Sequence, residues 1–142
     1  MLGRYIPARA CAAANGWKLD VLRRLTFVGL LDGVGELVGK EKMYSEAELL
    51  LIVLGGFLMR HGLNRRQAFL LAHAHADMIR SACGAEQSAD VIAKIGLDLD
   101  RGMSPVSVCN PAVAVGLFMI NLSEMHRRLC ERIKSFLEDN NE

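Results

Sequence analysis

The chain has 142 residues, and about half of them (51%) are apolar, which suffices for one domain or for one small domain with an appendage. Its three prolines argue against disorder, and its net charge of +1 predicts no partner by itself. The charge is unevenly distributed, because residues 1–80 contain eleven Lys and Arg against seven Asp and Glu, whereas residues 81–142 contain six against nine. A basic first half suits a chain that meets a polyanion with that half.

Four cysteines are widely spaced along the chain: Cys11, Cys83, Cys109 and Cys130. They form no C-x-x-C motif, and without a visible signal peptide they predict reduced thiols in a cytoplasmic protein. His126 and Cys130 have the i,i+4 spacing of a metal-binding pair, but two ligands do not make a site, and we predict neither a metal nor another cofactor. The longest apolar run, residues 49–59, is shorter than the about 20 residues that a membrane span needs.

The first third of the chain predicts two short helices joined by a tight turn. Pro7 suits the first turn of a helix, and the alanine-rich residues 7–15 predict a helix that a neighbour can approach closely. Asn15-Gly16 is a turn signal, because glycine takes positive φ freely. Residues 18–28 predict a second helix. Its apolar face carries Val21, Leu22, Leu25 and Val28.

The opposite face of that second helix carries Asp20, Arg23 and Phe27, with Arg24 at the boundary. A solvated charged face, stabilised by Asp20 with either arginine, is the simpler interpretation of this pattern. The glycine-rich residues 32–43 then predict a short β-hairpin whose tip can approach another molecule. Lys40 and Lys42 alternate and can lie on one side of a strand, although an ordinary surface turn would have the same composition.

Capping motifs predict the next two helices. Residues 45–48, Ser-Glu-Ala-Glu, form a capping box that opens a helix to about residue 61. This helix is apolar nearly all round and should be central, and Gly62 should end it. Residues 64–67, Asn-Arg-Arg-Gln, form a second capping box that opens a helix to about residue 80.

From residue 88 the pattern changes to short apolar runs. Residues 90–99, 106–109 and 112–120 predict strands, and residues 100–102 predict a turn after the first of them. Another cap signature at residues 121–124 precedes a charged amphipathic helix over residues 123–137.

The first half resembles the MerR-type winged helix-turn-helix. Gly16 stands at the turn glycine of that family, Arg23 at its DNA-contacting arginine, and residues 29–31 (Gly-Leu-Leu) at its terminator. Residues 42–45 (Lys-Met-Tyr-Ser) match the end of the family's wing, and residues 62–68 match the pattern that joins its next two helices. The resemblance covers about residues 5–80.

The chain departs from the family's pattern at the turn, the second helix and the wing. Arg24 and Leu25 replace two aromatic residues. Lys18 replaces the small N-capping residue and is a poor cap, and Lys42 replaces the wing arginine. These changes are compatible with phosphate contacts, but the base specificity of other members should not be transferred. The long dimerisation helix of the family is also missing after residue 80.

The predicted fold is mainly α with small β elements. A winged helix-turn-helix over residues 5–80 precedes a small α/β C-terminal region over residues 81–142, with a β-hairpin or three short strands plus a terminal helix. The resemblance implies that the second helix enters the major groove and that the wing contacts the backbone. The predicted DNA-binding residues are Lys18, Arg23, Arg24, Lys40, Lys42 and, through its hydroxyl, Tyr44.

One such module makes few contacts with DNA, so we expect a homodimer on two half-sites, as the resemblance also implies. The apolar run before the last helix and the apolar face of that helix could bury against their own copy. The predicted dimerisation residues are Val113, Val115, Leu117, Met119, Met125, Leu129 and Ile133.

These observations predict a DNA-binding transcriptional regulator of a bacterial cytoplasm, with double-stranded DNA as its partner. The operator, the direction of regulation and the binding of a small-molecule effector by the tail are left open. No catalytic motif is present, so we do not expect an enzyme. The alternative is a winged-helix module, of prophage or plasmid type, that docks a partner protein and does not read DNA.

Overall fold

The computed structural model describes residues 5–84, 89–98, 102–105 and 114–140. Within these ranges the chain forms six helices and two small antiparallel sheets, which confirms a mainly α fold with small β elements. The first sheet has the order β1-β3-β2 and consists of β1 (Ile6–Pro7), β2 (Glu36–Val38) and β3 (Glu41–Tyr44). The second has the order β5-β4-β6 and consists of β4 (Ile92–Asp98), β5 (Gly102–Pro105) and β6 (Ala114–Asn121).

The helices are α1 (Ala8–Ala14), α2 (Leu19–Phe27), α3 (Glu46–Arg60), α4 (Arg65–Ala74), α5 (Ala76–Ala82) and α6 (Leu122–Asn140). Helix α3 is central, as predicted, because nine of its 15 residues are buried. A Cβ at Gly55 would lie 2.4 Å from the Phe69 ring, so the glycine allows α4 to pack closely on α3. Among the described residues, no helix is long and apolar enough to cross a membrane.

The capping box at the start of α3 also holds the base of the first hairpin. The Ser45 hydroxyl accepts from the Glu48 backbone N–H at 3.2 Å, and the Glu48 carboxylate accepts from the Ser45 N–H at 2.9 Å. The second oxygen of Glu48 accepts from the Gly35 N–H at 2.6 Å. One carboxylate therefore ties the segment before β2 to the first turn of α3.

The predicted single helix over residues 64–80 is wrong, because the chain breaks at His75 into α4 and α5. Asn64 caps α4 as predicted, accepting from the Gln67 N–H at 2.8 Å. The buried His75 ring donates through Nδ1 to the Leu71 carbonyl at 2.8 Å. In an uninterrupted helix that carbonyl would accept from the backbone N–H of His75, which bonds to Ala72 at 3.2 Å instead.

The second sheet differs from the prediction at its edge strand β5. Gly102, predicted as a turn residue, begins β5 and pairs with Asp98. The predicted strand at residues 106–109 lies outside the described residues. The cap before α6 is confirmed, since the Asn121 side chain accepts from the Glu124 N–H at 2.9 Å.

Helix α6 packs onto the first half of its own chain. Leu129 and Ile133 are 3% and 0% exposed, within the same apolar cluster as α3. Arg132 donates to the Ala14 carbonyl at 3.2 Å, which joins α6 to the end of α1. The assignment of Leu129 and Ile133 to a dimer interface is therefore wrong, because their side chains are already covered.

The other predicted dimerisation residues have different environments. Met125 is half-buried against the same core, whereas Met119 is 59% exposed and free for a partner. Val113 and the side chains of Val115 and Leu117 lie outside the described residues.

Candidate nucleic-acid interface

Helix α2 presents three cations on its exposed side. Lys18 is its N-cap residue, in extended conformation with φ −75° and ψ 153°, and its side chain makes no capping hydrogen bond. Leu22 and Leu25 are each 1% exposed, so α2 packs on the core through the face that carries these two leucines. Lys18, Arg23 and Arg24 are all exposed.

Arg23 is only weakly engaged within the chain. Its Nη1 lies 3.9 Å from the Asp20 carboxylate, and the two side chains are 72% and 80% exposed. An ion pair of this kind contributes about 0–1 kcal/mol. A phosphate or a base edge could therefore replace Asp20 as the partner of this guanidinium at little cost.

The predicted hairpin is confirmed between β2 and β3. Val38 pairs with Glu41, and the two-residue turn between them consists of Gly39 and Lys40. Gly39 has φ 65°, the positive value that such turns require at their first position. Lys40 is exposed at the tip, whereas Lys42 is half-buried along β3.

A cleft of about 650 Å³ lies between α2 and this hairpin. Of the cations predicted to bind DNA, Arg23, Lys40 and Lys42 line it, whereas Lys18 and Arg24 do not. It also contains Arg9, which the sequence interpretation missed although it is the one charged residue of α1. Arg9 lies 3.9 Å from the Glu41 carboxylate in another exposed pair.

Tyr44 lies at the floor of the cleft, and its predicted contact with DNA is wrong. Its side chain is 1% exposed, and it pairs with Ile6 on the central strand of the sheet. Burial raises the pKa of Tyr44 to about 12, with a smaller rise from Cys11 and an opposing hydrogen bond with Thr26. A hydroxyl so enclosed cannot reach a phosphate outside the protein.

Large apolar side chains stand beside the cations. Phe27 is 91% exposed and Leu37 is 68% exposed, and both line the cleft. Val38, on the hairpin, is 52% exposed. Val28 was predicted to lie on the apolar face of α2, but the helix ends one residue earlier, at Phe27, and Val28 is 46% exposed. The lining of the cleft is thus mixed, because it contains exposed apolar side chains as well as cations.

Among the described residues, one group of side chains has the chemistry of metal ligands, and it lies away from this cleft. It consists of Glu46 of α3 with His126 and Cys130 of α6. His73 and His75 lie outside this group, and their rings hydrogen-bond to the backbone carbonyls of Leu30 and Leu71.

The chain matches no protein-family model and no curated protein. Four cations (Arg9, Arg23, Lys40, Lys42) surround it, two of them paired loosely with exposed carboxylates. Such a surface is suited to a polyanion that can displace those carboxylates.

Proposed function

We propose that the chain is a DNA-binding transcriptional regulator of the MerR-like type. The observation that supports this most is the cleft, in which cations from α1, α2 and the hairpin converge although they are up to 33 positions apart in sequence, from Arg9 to Lys42. The element order β1-α1-α2-β2-β3-α3 and the sheet order β1-β3-β2 also suit a winged helix-turn-helix. In this proposal the β2–β3 hairpin is the wing.

The mechanism assigns a role to each cation. Helix α2 enters the major groove, where Arg23 bonds a guanine edge or a phosphate. Lys18 stands at the helix N-terminus and Arg24 at its side, and both bind phosphate. Lys40 at the wing tip, Lys42 behind it and Arg9 on α1 bind the flanking backbone. The module acts as a homodimer, since one copy makes too few contacts for a regulator.

Retardation of random duplex DNA at several salt concentrations tests the proposal. Each phosphate contact contributes a slope of about −0.9 to the dependence of log K on log salt. The double variant Arg23→Ala, Lys40→Ala should therefore reduce the slope by about 2 per protomer when both cations contact phosphate. The control, Arg66→Ala with Lys134→Ala, removes the same charge from exposed positions outside the cleft. Absence of salt-dependent binding by the wild type at low ionic strength would refute the proposal.

A protein-docking module is the second candidate, and the exposure of Phe27 and Leu37 favours it. Aromatic side chains on an exposed mixed surface are typical of protein interfaces. Retardation of duplex DNA by the wild type and by the double variant distinguishes the two candidates. In a DNA-binding protein the Arg23→Ala, Lys40→Ala variant loses affinity for duplex DNA, whereas in a docking module the wild type itself does not retard DNA.

A further inference from the structure

Three side chains with metal-ligand chemistry meet where α6 crosses the start of α3. Glu46 is the first residue of α3, and His126 and Cys130 lie one turn apart on α6. The His126 Nε2 atom is 3.0 Å from the Glu46 carboxylate and 3.4 Å from the Cys130 sulfur, and all three ligand atoms lie within 4.8 Å of one another. The side chains of Glu46 and His126 are 12% and 15% exposed, and Cys130 is 8% exposed.

Two of the three separations between these ligand atoms are close to those of an ion with tetrahedral coordination, and the third, from the Glu46 oxygen to the Cys130 sulfur, is within 4.8 Å. Zinc binds sulfur at about 2.3 Å and nitrogen or oxygen at about 2.0–2.2 Å, which places ligand atoms about 3.3–3.6 Å apart. The sulfur–nitrogen separation of 3.4 Å already lies in that range, and the oxygen–nitrogen separation of 3.0 Å needs only a small movement of the Glu46 carboxylate. Thiolate with imidazole favours zinc over magnesium or calcium, which prefer oxygen ligands.

A plain hydrogen bond between His126 and Glu46 explains only part of this arrangement. It accounts for the imidazole and the carboxylate, but a thiol is a weak hydrogen-bonding group and gains little from either. A metal ion would also use the Cys130 thiol, as a ligand.

We propose that Glu46, His126 and Cys130 bind a zinc ion, with a water molecule as the fourth ligand. The ion joins α3 and α6 and attaches the last helix to the first half of the chain. This site does not depend on DNA binding, because its residues lie outside the cleft between α2 and the hairpin.

Titration of the metal-free full chain with Co²⁺ and then with Zn²⁺ tests the site. We expect one Co²⁺ per chain, visible bands of tetrahedral cobalt, a near-ultraviolet band of thiolate ligation, and displacement of the cobalt by Zn²⁺. His126→Gln and Cys130→Ser should each weaken binding more than about 100-fold, since even outer residues of such sites contribute 10–100-fold.

Matched controls separate the site from adventitious binding. His61→Gln changes an exposed histidine that stacks on Phe57, and Cys11→Ala changes a buried thiol outside the group. Both variants should bind Co²⁺ like the wild type, and circular dichroism checks that every variant is folded.

The wild-type titration decides the proposal even if a ligand variant does not fold. Failure of the wild type to bind one Co²⁺ or Zn²⁺ overturns it, as does unchanged affinity in folded His126→Gln and Cys130→Ser.

Discussion

Substitution of Gly35 by alanine should destabilise the protein through a contact at the base of the β2–β3 hairpin. Gly35 has φ 86°, and a Cβ there would lie 2.7 Å from the Tyr44 ring and 2.9 Å from the Lys42 side chain. The lysine chain is flexible and can move aside. The Tyr44 ring is 1% exposed and cannot move without disturbing the core.

The expected loss has two parts. An L residue at positive φ costs about 1–2 kcal/mol, and overpacking against a fixed ring costs about 1–3 kcal/mol more. A backbone shift that relieved the clash would lengthen the 2.6 Å bond from the Gly35 N–H to Glu48. Gly33→Ala is the matched control, because Gly33 has φ 76° and nothing lies within 4 Å of its Cβ position. Gly33→Ala should lower the free energy of unfolding only by the cost of an L residue at positive φ.

Urea unfolding of both variants measures the difference. The fluorescence of Trp17, the only tryptophan, and far-ultraviolet circular dichroism report the transition. We expect Gly35→Ala to be less stable than Gly33→Ala by about 1–3 kcal/mol, at equal m values. A difference below about 0.5 kcal/mol would refute the argument from the Tyr44 contact.

Three further predictions follow from burial and charge. Ile133→Ala should cost about 2–5 kcal/mol without changing the mass measured by light scattering, because Ile133 is buried in its own chain. Cys11 and Cys83 should react slowly with iodoacetamide at pH 8 until urea is added, because burial raises the pKa of each thiol to about 12. In an NMR titration Glu124 should keep its charge down to about pH 2, because its two neighbouring arginines lower its pKa. The stabilisation from this ion pair is then present above the usual glutamate pKa and lost as the pH falls through about 2, and high salt should move the midpoint upward.

The helix ends and turns could be predicted from sequence because their hydrogen bonds join residues a few positions apart. The capping box of Ser45 and Glu48 and the cap at Asn64 are examples. The turn at Gly39 and the stop at Gly62, with φ 104°, follow likewise from the freedom of glycine. For the same local reason, periodicity predicted that α3 would be buried.

Local pattern failed at two positions. The chain breaks at His75, whose ring donates to the Leu71 carbonyl four positions back, although periodicity would continue the helix. Tyr44 has the right position for a surface contact in sequence, but its pairing with Ile6 and its burial place it in the core. The second outcome depends on a strand 38 positions away, which sequence spacing does not reveal.

By itself, then, the sequence determined the local elements of the chain and the exposed cations of α2, because both depend on contacts within one or two helical turns. Only the tertiary structure decided which distant residues meet. It added Arg9 to the cleft, turned the apolar face of α6 onto the chain's own core, and brought Glu46 to His126 across 80 positions. Such contacts arise from the packing of whole helices and strands, and the spacing of residues along the chain does not predict that packing.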